Sequence, residues 1–356
     1  MTQPETMKAM VLTGHGDMNR LEWHENWPVP RPGKGEVLIR VKACGLNNTD
    51  VNTRTGWYSS AVSGATTGDT RDSPDAEEPS WGGAPIVFPR IQGADVAGEV
   101  VDGPDDLIGR RVMIDPWMRD WNDPLNMNKC GYFGSEADGG FAEYTTVDAR
   151  NVHPVESPLS DAEIATFATS YMTAENMLNR AAVGKDDTVL IPGASGGVGG
   201  ALIQLAARRG ARTIALASEA KHAAVARYHP DVILPRAPNN LREALGDERV
   251  TVVADVVGGD MWPALIDVLE RGGRYTCAGA IAGPIVTLDL RRFYLRDLTF
   301  TGATIVPPGV FADLVRCIER GEIAPVLAAT YPLSQLHAAQ RAFVDKQHVG
   351  NIVVVP

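Results

Sequence analysis

Hydrophobic and polar positions change their rhythm once along this chain. From Met7 to about Val155 the apolar residues come in short runs, KAMVLTGHG, GEVLIRVKACG, GADVAGEVVDG, GRRVMID and GGFAEYTTVD, each cut off by glycine or proline. Such runs, bounded by turn residues, predict a compact β-rich domain. From about Pro158 helix and strand alternate. DAEIATFATSYMTAENMLNRA has helical spacing, DTVLIPGASGG runs from strand into a glycine turn, and VGGALIQLAARRG is a helix ended by Gly210. ARTIALA, VILP, VTVVADVVGG and RYTCAGAIAG add further strands, and this βαβ order predicts a parallel sheet covered by helices on both faces. After about Asp297, TFTGATI reads as the last strand of that sheet, FADLVRCIERG and LSQLHAAQRAFVD as helices, and GNIVVV as a strand returning to the first domain.

Two irregular segments interrupt the β-rich part. One runs from Ser59 to Pro85 and is rich in Ser, Thr, Gly and acids; the other, DPWMRDWNDPLNMNKCGYFGSEAD, holds Trp117, Trp121, Tyr132 and Phe133. Loops of this length inside a domain are usually functional or mobile.

Composition narrows the classes. A chain of 356 residues with 44% hydrophobic and 22% charged residues has room for two domains, and its 36 glycines and 24 prolines suit many tight turns. A net charge of −11, with no Lys/Arg cluster, argues against nucleic acid as a partner. The N-terminal MTQPETMKAMVLTGHG lacks the basic and apolar regions of a secretion signal, and no window approaches a membrane span, so a cytoplasmic protein with no membrane partner is expected. Cys44, Cys130, Cys277 and Cys317 are scattered without a CxxC, which indicates neither a disulfide framework nor a zinc knuckle.

The clearest chemical signal is TVLIPGASGGVGGALIQLA, residues 188–206. Gly193, Ser195, Gly196, Gly197, Val198 and Gly199 lie between a buried strand and a helix, where glycines let the backbone approach a pyrophosphate and the helix start supplies free N–H groups. A tight turn without a ligand is the alternative. At the end of the next strand an NAD site usually carries an acid that binds the ribose, whereas an NADP site replaces it with hydroxyls and cations. Here the strand ends on Ala217, followed by Ser218 and Lys221, with Arg236 after the strand beyond, so NADPH is the expected cofactor. Glu219 is the rival, a ribose acid if the register is two residues out, and Lys221 and Arg236 singly read equally well as solvated surface charges.

The β-rich first part, ASGGVG in the turn, GADVAGEV, NxxDxNxxxGxY at 47–58 and the returning GNIVVV together resemble the medium-chain dehydrogenase/reductase superfamily, over nearly the whole chain. They are more similar to its quinone oxidoreductase and enoyl reductase branches than to its zinc alcohol dehydrogenases. The resemblance implies an α/β chain with a GroES-like β-rich catalytic domain (1–157 and 298–356) and a Rossmann doubly wound cofactor domain (158–297). A zinc enzyme of this superfamily would place Cys, His and Cys where Asn47, Ala94 and Thr169 stand, so no catalytic zinc is expected, and Cys130 alone cannot build a structural zinc lobe. Cys44 reads as a small buried residue at a strand end.

The same resemblance implies site residues. Tyr58 is the proton donor or a shaper of the pocket; Asn47, Asp50 and Thr173 line the nicotinamide and substrate. Backbone at Gly279, Ala280, Gly302 and Ala303 would hold the carboxamide, and Asn351 replaces a frequent lysine near the cofactor phosphates. Asp50 with Arg54 could instead be a helix ion pair, and Asn47 a turn-forming cap. The implied reaction is NADPH-dependent reduction of a quinone or an α,β-unsaturated carbonyl; the alternatives are a metal-free alcohol/carbonyl dehydrogenase and an NADPH-binding structural or sensory protein. The segment 59–85 sets Asp69, Asp72, Asp75, Glu77 and Glu78 against Arg71. As a lid it would repel coenzyme A phosphates and favour a small neutral substrate; a surface insertion is the other reading. Pairing of the edge strand at TFTGAT would give a homodimer.

Overall fold

The computed structural model describes residues 3–67 and 86–356. Residues 68–85, which carry most of the expected lid and all of its acids, lie outside the described residues. Two compact units result.

The first unit comprises the described residues up to Val62, then Thr67 to Thr169 and Pro307 to Pro356. Its main sheet runs in the order Val152–Pro154, Arg111–Ile114, Asp95–Asp102, Glu36–Gly45, Asn351–Val355, Leu327–Pro332, with Tyr144–Asp148 also paired to Glu36–Gly45. A smaller sheet joins Leu21–Pro28, Thr6–Leu12 and Arg90–Ile91. Strand Glu36–Gly45 is central, and its Val37, Leu38, Ile39 and Val41 enter one core with Val96, Val100, Phe141, Ile352 and Val354. Its end leads directly into the short helix Asn48–Thr55, which stops at Gly56 in the left-handed region (φ 68°). Asn47 and Asp50 therefore follow directly on the end of this central strand.

The second unit, Ser63–Thr66 with Ser170–Val306, is built on a parallel sheet in the order Val232–Pro235, Arg212–Ala217, Thr188–Ile191, Val250–Asp255, Leu269–Cys277, Thr299–Gly302. In chain order that is 3-2-1-4-5-6, the doubly wound Rossmann arrangement. Its first three strands meet in register, Thr188 opposite Arg212 and Ile214 opposite Val232, so their C-terminal ends lie on one edge.

The expected domain boundaries shift. Residues 298–306 belong with the parallel sheet, because Thr299–Gly302 pairs with Arg274–Cys277. Residues 158–169 belong with the first unit; Arg111 donates to Asp161 at 2.7 Å and to the carbonyls of Ser157 and Leu159. The single helix expected over DAEIATFATSYMTAENMLNRA is two, Asp161–Ile164 and Ala168–Arg180. The first is started by a reciprocal Ser160/Glu163 cap and is closed where the Thr166 hydroxyl returns to the Glu163 carbonyl.

Candidate active site

The helix Asn48–Thr55 begins by satisfying its own end. The Asp50 carboxylate accepts the Asn47 N–H at 2.7 Å, a contact that fixes the Asp50 side chain rather than leaving it to pair along the helix. Arg54 is committed elsewhere, to Gln340 at 3.2 Å and the Gly16 carbonyl at 2.8 Å. The helix ion pair considered for Asp50 and Arg54 is therefore replaced by a cap.

Asp50 does not stand alone. Asp95, at the start of strand Asp95–Asp102, is also fully buried; desolvation dominates both carboxyls, and the Asp95 charge further raises the proton affinity of Asp50. Burial lifts Asp50 to about 7 against its Asn47 and Gly93 backbone donors. It lifts Asp95 to about 6 against donors from Thr169 and Asn47. Asn47 Nδ2 approaches Asp95 without the alignment of a full hydrogen bond. Thr169 is better placed: its N–H donates to Asp95 Oδ1 at 2.9 Å, its hydroxyl donates to the same oxygen, and that hydroxyl meets Tyr132 Oη at 2.8 Å.

Two tyrosines complete the cluster. The Tyr58 ring leaves 38% of its surface exposed, but its hydroxyl is turned inward against the side chains of Thr49 and Asn52. Burial, with the nearby Asp50 charge, pushes its pKa above the ordinary tyrosine value. Tyr132 is pushed well above it by burial and by Asp95, Asp50 and Tyr58. Both phenols thus keep their protons at neutral pH. Cys44 is a free, fully buried thiol beside the same carboxyls, and burial with those charges raises it well above its usual value. Sequence reasoning missed Asp95 and Tyr132. Asp95 follows Ala94 in GAD, and Tyr132 sits in an aromatic-rich loop, but neither spacing reveals a contact with Thr169.

In the second unit the glycine turn is built as a tight backbone cradle. Gly193 has φ 68°. A Cβ on Gly199 would lie 2.3 Å from the Gly193 carbonyl oxygen and 2.6 Å from Ala194 Cα, so only glycine fits there. Gly196 caps the helix Gly197–Arg208, whose first intrahelical bond runs from Gly200 N–H to the Gly196 carbonyl. Ser195 and Val198 flank these glycines, and the N–H groups of the first turn are the ready anion site of a helix start.

Along the same edge, Ala217 ends its strand opposite Pro235, so Ser218 and Arg236 follow two adjacent strands. Lys221 lies in the short 3-10 turn Glu219–Lys221, and partial burial together with the charge of Arg236 lowers its pKa. Glu219, the rival ribose acid, is exposed in that turn. Gly279 and Ala280 follow the strand ending at Cys277, Gly302 ends its neighbour, and Ala303 N–H donates to the Cys277 carbonyl at 2.9 Å. Thr173 lies half-buried in the helix Ala168–Arg180. Asn351 is in the first unit, where its amide holds the Thr166 carbonyl at 2.9 Å; its side chain is thereby given a structural task that the expected phosphate contact did not foresee.

Comparisons with known proteins agree with this architecture. Residues 33–157 match the alcohol dehydrogenase GroES-like domain and residues 197–320 the zinc-binding dehydrogenase model. A solved structure from Sinorhizobium meliloti 1021, described as a candidate alcohol dehydrogenase, is 43% identical, covers 99% of this chain and 98% of its own, and superposes with a TM-score of 0.91. Acryloyl-coenzyme A reductase of Sulfurisphaera tokodaii is 27% identical over 98% of this chain and 100% of its own. An NAD-dependent alcohol dehydrogenase of Sulfolobus acidocaldarius is 26% identical over 94% and 95% respectively.

The zinc in one of those descriptions finds poor ligands here. Asn47 and Ala94 offer neither thiolate nor imidazole, the Thr169 hydroxyl is engaged by Asp95 and Tyr132, and among the described residues no group of three His, Cys, Asp or Glu side chains could hold a metal ion. With its GroES-like and Rossmann units, the chain belongs to the medium-chain dehydrogenase/reductase superfamily of oxidoreductases.

Proposed function

We propose that the protein is a zinc-independent, NADPH-dependent reductase of a quinone or an α,β-unsaturated carbonyl. The observation that carries this reading is the cluster of Asp50, Asp95, Thr169, Tyr132 and Tyr58, protonated or hydrogen-bonded to one another where a zinc enzyme would gather soft ligands. When bound, the nicotinamide supplies a hydride to the acceptor. The work left to the chain is to orient the acceptor and to meet the negative charge that develops on its oxygen. Tyr58 suits that task, because its hydroxyl retains a proton while its ring reaches the surface. Asn47, Asp50 and Thr173 line the reacting groups, and backbone at Gly279, Ala280, Gly302 and Ala303 holds the carboxamide.

NADPH rather than NADH is supported by Ser218, Lys221 and Arg236. Two cations that raise each other's energy at the ends of adjacent strands gain from a dianion placed between them. A small neutral enone, quinone or aldehyde is the preferred acceptor; acryloyl-coenzyme A is the comparison substrate, given the Sulfurisphaera relative.

The test is a panel of enones, quinones, aldehydes and acryloyl-coenzyme A with NADPH and NADH, followed at the nicotinamide absorbance, together with metal analysis of the purified protein. Faster turnover with NADPH and substoichiometric zinc is the expected result. Stoichiometric zinc or equal use of NADH would remove the corresponding half of the proposal. A second reading, a metal-free alcohol/carbonyl dehydrogenase, is favoured by the two relatives described as alcohol dehydrogenases, and aldehyde reduction without enone reduction would select it. A homodimer is also proposed, since Thr299–Gly302 ends the parallel sheet with one strand neighbour; light scattering tests it.

A further inference from the structure

The Thr169 hydroxyl has one proton and two oxygen partners. On one side stands Tyr132 Oη at 2.8 Å, on the other Asp95 Oδ1, which the Thr169 N–H holds in place at 2.9 Å. The three residues come from separate elements, the strand Cys130–Tyr132, the helix Ala168–Arg180 and the start of strand Asp95–Asp102. Asp95 and Tyr132 are buried and Thr169 is half-buried, so water does not replace these contacts freely. A chain of three oxygens whose middle member can donate only one way has two orders. In the first, Tyr132 donates to Thr169 and Thr169 to an Asp95 carboxylate. In the second, a protonated Asp95 donates to Thr169, Thr169 donates to Tyr132, and the Tyr132 hydroxyl donates outside this chain of three.

We propose that Tyr132, Thr169 and Asp95 form a proton wire that resupplies the cluster shared by Tyr58 and Asp50. The wire rests on the reading of the site as a metal-free reductase, whose reaction consumes one proton for each hydride. Its balance is closed. Starting from the second order, Tyr132 gives its proton to the Tyr58 phenolate left once Tyr58 has protonated the reduced acceptor, the Thr169 proton moves to Tyr132, and the Asp95 proton moves to Thr169. Three O–H bonds break and three form, the first order results, and Asp95 is left as a carboxylate. The next turnover requires one further proton at Asp95, taken up from bulk water, to restore the second order. The groups around that carboxyl are Asp50 on the helix Asn48–Thr55, Asn47 before it, Cys44 at the end of strand Glu36–Gly45, Tyr132 and, beside Tyr132, Tyr58. Burial lifts Asp95 to about 6, so the loaded order gains population as pH falls toward that value. Thr169 and Tyr132 are positioning residues here, since they act through the cluster.

The experiment compares Thr169→Val, Thr169→Ser and Tyr132→Phe, using whichever acceptor of the panel the unmodified protein reduces. Val keeps the branched shape of Thr169 and removes its hydroxyl; Ser restores it. The expected result is a fall in kcat of about 10²-fold in Thr169→Val and Tyr132→Phe, near the lower bound for loss of a proton-transfer partner. NADPH affinity stays unchanged, Thr169→Ser regains most of the rate, and the rate in mixed H₂O/D₂O changes from a curved to a linear dependence in Thr169→Val. Wild-type kcat with the curved dependence intact in both Thr169→Val and Tyr132→Phe would overturn the wire. A second measurement needs no turnover. The infrared carbonyl stretch of protonated Asp95, assigned by its loss in Asp95→Asn, should shift in Tyr132→Phe and Thr169→Val. An unmoved band with unmoved titration overturns the wire. If no acceptor is reduced, the proposed reductase falls and the infrared result alone judges the wire.

Discussion

The C-terminal edge of the parallel sheet and the carboxyl cluster of the β-rich unit are built by opposite means. The edge is made of backbone: Gly193 in the left-handed region, Gly199 against the Gly193 carbonyl, and the open start of Gly197–Arg208. The cluster is made of side chains from positions 50, 58, 95, 132 and 169, brought together from separate segments. Backbone sites are intolerant of added atoms and indifferent to most neighbouring side chains. Side-chain sites tolerate added atoms better but depend on each proton. The difference makes the two regions separable by mutation.

The largest effect should come from the side-chain region. Tyr58→Phe removes one hydroxyl and should lower kcat by about 10²- to 10⁴-fold with little change in NADPH affinity. Turnover equal to that of the unmodified protein would assign Tyr58 to shaping alone. In the backbone region, Gly199→Ala forces a methyl group into the Gly193 carbonyl and Ala194 Cα, contacts that a flexible side chain cannot relieve. A loss of about 1–3 kcal/mol in urea unfolding, with a matching loss of NADPH affinity by fluorescence titration, is expected. The cations are a third case, side chains serving the backbone-built edge. Lys221→Ala with Arg236→Ala should weaken NADPH about 10- to 100-fold and leave NADH unchanged, as for two charge-assisted contacts.

Protons sharpen the comparison further. Folding raises the Asp50 pKa from 3.8 to about 7, so between those pH values the native state holds a proton that the unfolded chain has lost. Its contribution therefore favours folding at the acid end of that window and is lost as pH rises through it. Asp50→Asn keeps an acceptor for the Asn47 N–H and should flatten this part of the urea midpoint's dependence on pH. An undiminished slope would transfer the effect to Asp95. The smallest change expected is Asn351→Ala, which gives up one buried hydrogen bond to Thr166, about 1–2 kcal/mol by thermal unfolding, without altering NADPH affinity. A selective loss of affinity would return Asn351 to the cofactor.

Legibility in the sequence follows the same division. The glycine turn was readable because its geometry is local: strand, glycines and helix lie within twenty residues or so, and each glycine has a steric reason. Ala217 as the end of its strand was readable for the same reason. The absence of thiolate and imidazole at 47, 94 and 169 could also be read, position by position. What takes their place could not. Asp95 and Thr169 are brought together only by the packing of a strand start against a helix start, and Tyr132 arrives from a loop without periodicity. Thr299–Gly302 was readable as the last strand of the parallel sheet, but the boundary drawn before it at 298 set it apart from Arg274–Cys277, with which it pairs.

Strand Asn351–Val355 has a consequence for how the molecule is made. It lies between Glu36–Gly45 and Leu327–Pro332, with Val353 opposite Gly45. A ribosome must therefore have added residue 354 before the end of that central strand, at Cys44 and Gly45, gains this neighbour. Nearly all of the Rossmann unit, by contrast, is one continuous run from Ser170 to Val306 and can fold as soon as it emerges. Until then, Glu36–Gly45 is paired with Tyr144–Asp148 along Glu36–Arg40 but open at Cys44 and Gly45, so the stretch that leads into the helix Asn48–Thr55 waits longest for its neighbour. The vulnerable moment in the life of this protein is its synthesis, and the parallel-sheet unit is complete before the unit that carries the buried carboxyl cluster.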